Sequence, residues 1–227
     1  MTEFIQTIKG VGLAGVVVRM FLAVLCGGII GLERESKRRS AGFRTHTLIC
    51  IGATLTTLTS QYLMGLGLTT DPARLGAQVI AGMGFIGAGA IIVTSRRQVK
   101  GLTTAAGLWT SAIIGIGTGY YEAALITVAL VIFSEVVLSK LEYFIISTAR
   151  SMNIYVEFTD VDNLNDIVEE VKKHNMSIVD VEITKSRPSE GMRMSAILAL
   201  QFKKKMAHEN VMAFISEIPG VTSVEEL

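Results

Sequence analysis

The stretch that decides the architecture runs from residue 15 to residue 45: GVVVRMFLAVLCGGIIGL over 15–32, then ERESKRRSAGFRT over 33–45. The first part is almost wholly apolar and about as long as a helix must be to cross a bilayer. The second opens with Glu33, Arg34 and Glu35 and packs Lys37, Arg38, Arg39 and Arg44 into one short loop. An apolar run that ends in such a basic cluster reads as a membrane span with its cytoplasmic flank.

Outward from this stretch, apolar runs at 46–68, 76–94, 102–118 and 122–140 predict four further spans, making about five. Successive spans joined by short loops alternate in direction. The 95–101 loop carries Arg96, Arg97 and Lys100, whereas 69–75 carries only Arg74 and 119–121 carries no base. Alternation and the positive-inside rule therefore agree on an N-terminus outside and a cytoplasmic tail. Lys9 is the only base before the first run, and no small-residue cleavage pattern separates the two, so a cleaved leader is not expected. Arg19 is expected to snorkel to the headgroups.

Charge divides the chain. Residues 1–149 hold 7 acidic and 12 basic side chains, net +5, and residues 150–227 hold 13 and 9, net −4; together they give the +1 of the whole. We read 1–149 as an all-α transmembrane bundle and 150–227 as a small cytoplasmic domain. In the latter, a strand at 153–159, an amphipathic helix at 163–175, strands at 177–185 and 194–203, a helix at 208–218 and a strand at 221–225 spell βαββαβ, an α+β ferredoxin-like order. A turn with Pro188 and Gly191 joins the middle strands.

Small residues mark the helix contacts, because lipid gives apolar helices no reason to associate and close backbone approach must supply it. Gly27 and Gly31 stand four apart, as do Gly107, Ser111 and Gly115. The third span, with Gly82, Gly84, Gly87 and Gly89, is expected to be central, with a broken helix as the alternative. The run Gly82–Gly87 fits a dinucleotide-loop spacing but lacks the strand and helix that give such a loop its function. Cys26 and Cys50 lie in apolar runs and read as packing residues. No catalytic or cofactor motif is present, and the basic loops read as orientation signals and lipid contacts, not as a nucleic-acid surface.

Polar residues at the helix ends are the candidate binding residues: Glu33, Arg44 and His46 on the cytoplasmic side, Asp71, Arg74 and Gln78 outside, and Thr103, Thr104 and Trp109 at and within the fourth span. Glu33 reads as one half of an interfacial ion pair with Arg34, Arg44 or Arg96, Arg44 being the partner that would fix the first loop across the helix ends, or as a cation or proton site. His46 reads as a headgroup-level residue, Asp71 as a helix cap able to pair with Arg74, and Trp109 as core packing.

The motifs GLERE at 31–35, AGFRTH at 41–46, DPARL at 71–75 with Gln78, GMGFIGAG at 82–89 and KGLTTAA at 100–106 with Trp109 and Gly115 resemble the signature of the MgtC/SapB family. The resemblance covers about 27–121. It implies a five-helix bacterial inner-membrane protein, not an enzyme, tied to survival at low magnesium, to acid tolerance and, in pathogens, to growth inside host cells. Partner membrane proteins are implied too, the rotary ATP synthase among them. The tail, with Ile218-Pro219-Gly220-Val221 entering its last strand, resembles an ACT-type regulatory domain, which implies a dimer contact or a small ligand. Two readings of function follow: a membrane regulator that acts on partner proteins and itself forms oligomers through the bundle or the tail, or a small transporter of cations such as Mg²⁺ or of protons.

Overall fold

The structure is a computed structural model that describes residues 12–69, 71–94, 98–147, 149–185, 194–202, 206 and 208–227. The bases at 96 and 97 and the turn expected at 186–191 lie outside the described residues. The chain forms two compact units that divide between Leu138 and Ser139.

The first unit is helical. Helix α1 spans Leu13–Ser36, α2 Phe43–Gly65, α3 Arg74–Ala90 and α4 Leu102–Ile116, continued by a 3₁₀ turn at Gly117–Gly119. The last membrane helix runs as α5 (Tyr121–Phe133), a π-helical turn at Ser134–Leu138 and then α6 (Ser139–Ser147), the latter already part of the second unit. Among the described residues two helical stretches, Leu13–Ser36 and Tyr121–Ile146, are long and apolar enough to span a bilayer by themselves. The other three are shorter or more polar. Between α3 and α4 the chain makes a two-strand hairpin, β1 (Ile92–Val93) on β2 (Val99–Lys100), where the sequence predicts the end of a span. Gly101 follows at φ 97°, in the left-handed region, with the Ala90 carbonyl where a β-carbon would sit, so only glycine makes this corner.

The bundle is packed in the opposite sense to a water-soluble core. Small or polar residues such as Gly27, Gly31, Ala23, Cys26, Cys50, Ala53, Thr54, Ser111 and Ala112 are buried beside a few large apolar ones, Ile30, Leu108 and Ile114 among them, while Phe21, Leu25, Ile29, Phe85, Ile126 and Leu130 face outward. Large apolar side chains outside and small or polar ones inside are what a lipid surround selects. A β-carbon on Gly27 would stand 2.8 Å from the His46 carbonyl, and one on Gly31 would stand 2.6 Å from Cα of Phe43. The small residues of α1 thus seat α2. Gly115 of α4 lies directly on the Cys50 carbonyl of α2 in the same way.

The expectation that the third span is central is corrected. Helix α3 is unbroken, and it buries only Met83 and Gly87. Gly82, Gly84 and Gly89 have nothing within 4 Å of a β-carbon position. The central helices are α2 and α4, whose Thr54, Thr57 and Thr118 hydroxyls donate to the Gly115 and Ile116 carbonyls. Those carbonyls end α4 and have no partner within it.

In the second unit β3 (Ser151–Phe158), α7 (Val161–Lys173), β4 (Met176–Lys185), β5 (Met194–Phe202), α8 (His208–Ser216) and β6 (Val221–Glu226) follow one another. The antiparallel sheet has the order β4-β5-β3-β6, that of the ferredoxin-like fold. Met152, Ile154, Val156 and Phe158 alternate inward along β3 and meet Leu198 and Leu200 of β5 and Ile167, Val171, Val211 and Ile215 of the helices. The last strand enters through Gly220 at φ 86°.

Candidate functional site: a buried polar knot at the helix ends

The polar side chains that the bundle buries gather first where α1 ends. Arg34, 2% exposed, sits in the last turn of α1 and places its guanidinium on the carboxylate of Glu135. Glu135 opens the π turn of the last membrane helix. A π turn re-aims the side chains around it and recurs at functional positions. Here its Glu135 carbonyl also accepts from the Lys37 ammonium. Glu33 closes the knot, 2.7 Å from Lys37 Nζ and 3.7 Å from Arg34 Nη1. Two carboxylates thus meet two bases, and the set is neutral.

His46 is fully buried beside this knot. Its Nδ1–H donates to the Gly42 carbonyl at 2.9 Å, which leaves Nε2 with a lone pair facing Gly107, 3.4 Å from where a β-carbon would stand. The expectation of a headgroup-level histidine is corrected: the tight α1–α2 contact turns His46 inward.

The Glu33–Arg44 pair does not form. Gly31 holds the backbone of Phe43 so closely that positions 43, 46 and 50 of α2 face α1, and Arg44 and Leu48 then turn out. Arg44 lines an open cleft of about 670 Å³ with Glu35, Arg39, Phe43 and Thr45. Glu35, not Glu33, reaches the start of α2, where its carboxylate accepts from the Phe43 N–H at 2.9 Å.

At the opposite helix ends Asp71, Arg74 and Gln78 are all exposed, and they do not join the buried set. Asp71 accepts from the Ala73 N–H at 2.9 Å within a turn that precedes α3, so the helix starts at Arg74 and Asp71 is not its cap. No Asp71–Arg74 ion pair forms among the described residues. Thr104 is buried and Thr103 exposed. Trp109 is 45% exposed on the outer side of α4, which corrects its reading as core: positions 104, 107, 108, 111 and 115 make the inner face.

Sequence reading missed Glu135, although an acid inside the apolar run 130–138 is itself a signal. It also misplaced Arg19. That side chain is fully buried, donates from Nη1 to Gln61 Oε1 at 2.6 Å and lies against Gly119, so it does not snorkel. A row of polar groups, Gln61, Thr118, Thr54, Ser111 and His46, thus lies along the α2–α4 contact between Arg19 and the knot. No three His, Cys, Asp or Glu side chains converge as a metal site among the described residues.

The bundle and its tail define a class: a polytopic membrane protein carrying a small ferredoxin-like domain. The MgtC family profile matches residues 20–144, more than half of the chain, and the chain belongs to the MgtC family. Over 146 residues it is 42% identical to the Escherichia coli (strain K12) protein named "Putative magnesium transporter YhiD", a match covering 60% of this chain and 64% of that one. It is 30% identical over 178 residues to Protein SapB of Bacillus subtilis (strain 168), covering 74% and 77%. Protein MgtC of Brucella abortus (strain 2308) is 40% identical over 121 residues, covering 52% and 49%. The chain therefore spans a little under two thirds of the length of its E. coli relative. Among solved structures, the ACT domain of the GTP pyrophosphokinase of Chlorobium tepidum matches with 18% identity and a TM-score of 0.28, covering 34% of this chain and 96% of that domain.

Proposed function

We propose that this protein is a non-catalytic regulator in the bacterial cytoplasmic membrane, with its N-terminus outside and its tail in the cytoplasm. It serves adaptation to low magnesium or to acid by acting on partner membrane proteins, of which ATP synthase and ion transporters are the leading candidates. The observation that carries this reading is the bare face of α3. Gly82 and Gly89, which share one side of α3 with Phe85, leave the backbone of a membrane helix open, and that Phe85 is 83% exposed. In lipid, a face of small residues admits a second helix closely. The four charges of the knot, Glu33, Arg34, Lys37 and Glu135, meanwhile neutralise one another.

A second reading is magnesium transport, the activity in the name of the E. coli relative. It is favoured by the row of buried polar groups between Arg19 and Glu135. The two separate in one strain lacking the gene, tested for growth at low magnesium. On the regulator reading, Gly82→Leu keeps membrane abundance and loses growth, and the purified protein in liposomes moves no Mg²⁺. Protein-dependent Mg²⁺ flux in those liposomes sinks the regulator reading.

A further inference from the structure

His208 opens α8 and is 5% exposed. Its Nδ1 lies 2.6 Å from Glu226 Oε1 at the end of β6, and its Nε2 lies 3.3 Å from the carbonyl of Ala149, where the chain leaves α6 for the tail. Both partners are acceptors. A neutral imidazole has one N–H and can satisfy only one of them, whereas the imidazolium donates to both. With a protonated Glu226 and a neutral ring the count is the same: the complete pair of contacts holds one proton more than neutral histidine and ionised glutamate. The imidazole is buried, which limits the water that could stand in at its second contact, while the Glu226 carboxylate is 37% exposed.

We propose that His208 and Glu226 form a proton-operated clasp that ties the chain leaving the last membrane helix to the tail domain. Three distant points meet in it: the 149–153 segment, the start of α8 and the end of β6. The same segment is held by two backbone bonds, Phe202 N–H to the Arg150 carbonyl at 2.7 Å and Leu227 N–H to the Asn153 carbonyl at 2.9 Å. The Phe202 ring packs on the imidazole from β5. Among the described residues Glu226 is the charged group in reach of the ring, while Glu209, next to His208, and Arg150, next to Ala149, are exposed. The clasp is complete while the shared proton is bound. It loses the Ala149 contact as pH rises and the proton leaves, because one N–H must then choose between two acceptors.

The test uses the full chain in lipid nanodiscs. Hydrogen exchange of the 149–153 segment, expressed as protection so that intrinsic rates cancel, is measured at about pH 5.5 and about pH 8, either side of the ordinary histidine range. Protection in the wild type is expected to fall about tenfold at the higher pH, roughly what one hydrogen bond to a charged group contributes. His208→Asn removes the pH dependence. Glu226→Gln keeps protection high at both pH values, since its amide can donate to Nδ1 while Nε2–H serves Ala149 without an added proton. Wild-type protection that does not change with pH overturns the proposal. So does either variant that tracks the wild-type pH dependence, or a Glu226→Gln protein that is unprotected at both.

Discussion

The guanidinium of Arg34 rests on the carboxylate of Glu135, joining the end of the first membrane helix to a π turn 101 residues further along the chain. Lys37 adds a second tie to the same turn through the Glu135 carbonyl. The pair closes the bundle between its first and last helices at one end, where the loops alone would leave them free to part.

Breaking this pair leaves a buried charge without compensation. Arg34→Met or Glu135→Leu alone is expected to cost about 3 kcal/mol, and the double variant much less than the sum. Thermal unfolding in detergent and membrane abundance read both. Arg44→Gln, on an exposed side chain, changes stability by less than about 0.5 kcal/mol. Additive single losses would show that Arg34 and Glu135 do not act as a pair.

The glycines divide into two groups with opposite outcomes. Gly31→Val and Gly115→Val drive a side chain into the backbone of α2 and are expected to cost more than about 3 kcal/mol, with loss of membrane protein. Gly82→Ala meets open space and raises helix propensity by up to about 1 kcal/mol. Equal abundance of all three variants would contradict the packing of α1, α2 and α4.

Arg19 depends on Gln61. Gln61→Leu removes the one side-chain acceptor that the buried guanidinium reaches among the described residues and is expected to destabilise by about 2 kcal/mol. Adding Arg19→Leu recovers most of the loss, as replacing both partners by apolar groups allows. Failure of the second substitution to recover the protein would mean that Arg19 has another task at that end of the bundle.

On the tail, the Lys173 ammonium donates to Glu170 at 2.8 Å, and that bond holds the Glu170 carboxyl below the usual carboxylate range. A carboxyl lowered in the folded state contributes stability above its unfolded titration range, and that contribution is lost as pH falls through the folded value. Lys173→Met therefore lets the Glu170 titration, followed by carbon NMR of the carboxyl, move up toward the ordinary range near about 4.3. Both groups are largely solvated, so the change in global stability that accompanies it is small. An unmoved titration would place the cause elsewhere than Lys173.

The sequence by itself determined the membrane helices, the order βαββαβ and the close contacts at Gly27, Gly31 and Gly115. Each is a local or periodic property: a run long enough to span lipid, an alternation that puts Val156 and Phe158 on one face, a small residue every fourth position. Only the tertiary structure decided which polar groups meet. Of the partners the sequence offered Glu33, Arg34 is met and Arg44 is not, because Gly31 turns one face of α2 inward and Arg44 away, and Lys37 is added. Glu135 reaches Arg34 because a π turn re-aims it across 101 residues. The glycine-rich α3, which composition alone makes look central, is peripheral. A small residue signals that a backbone can be approached, and only the packing of the other helices says whether the approach is taken up within the chain or left open.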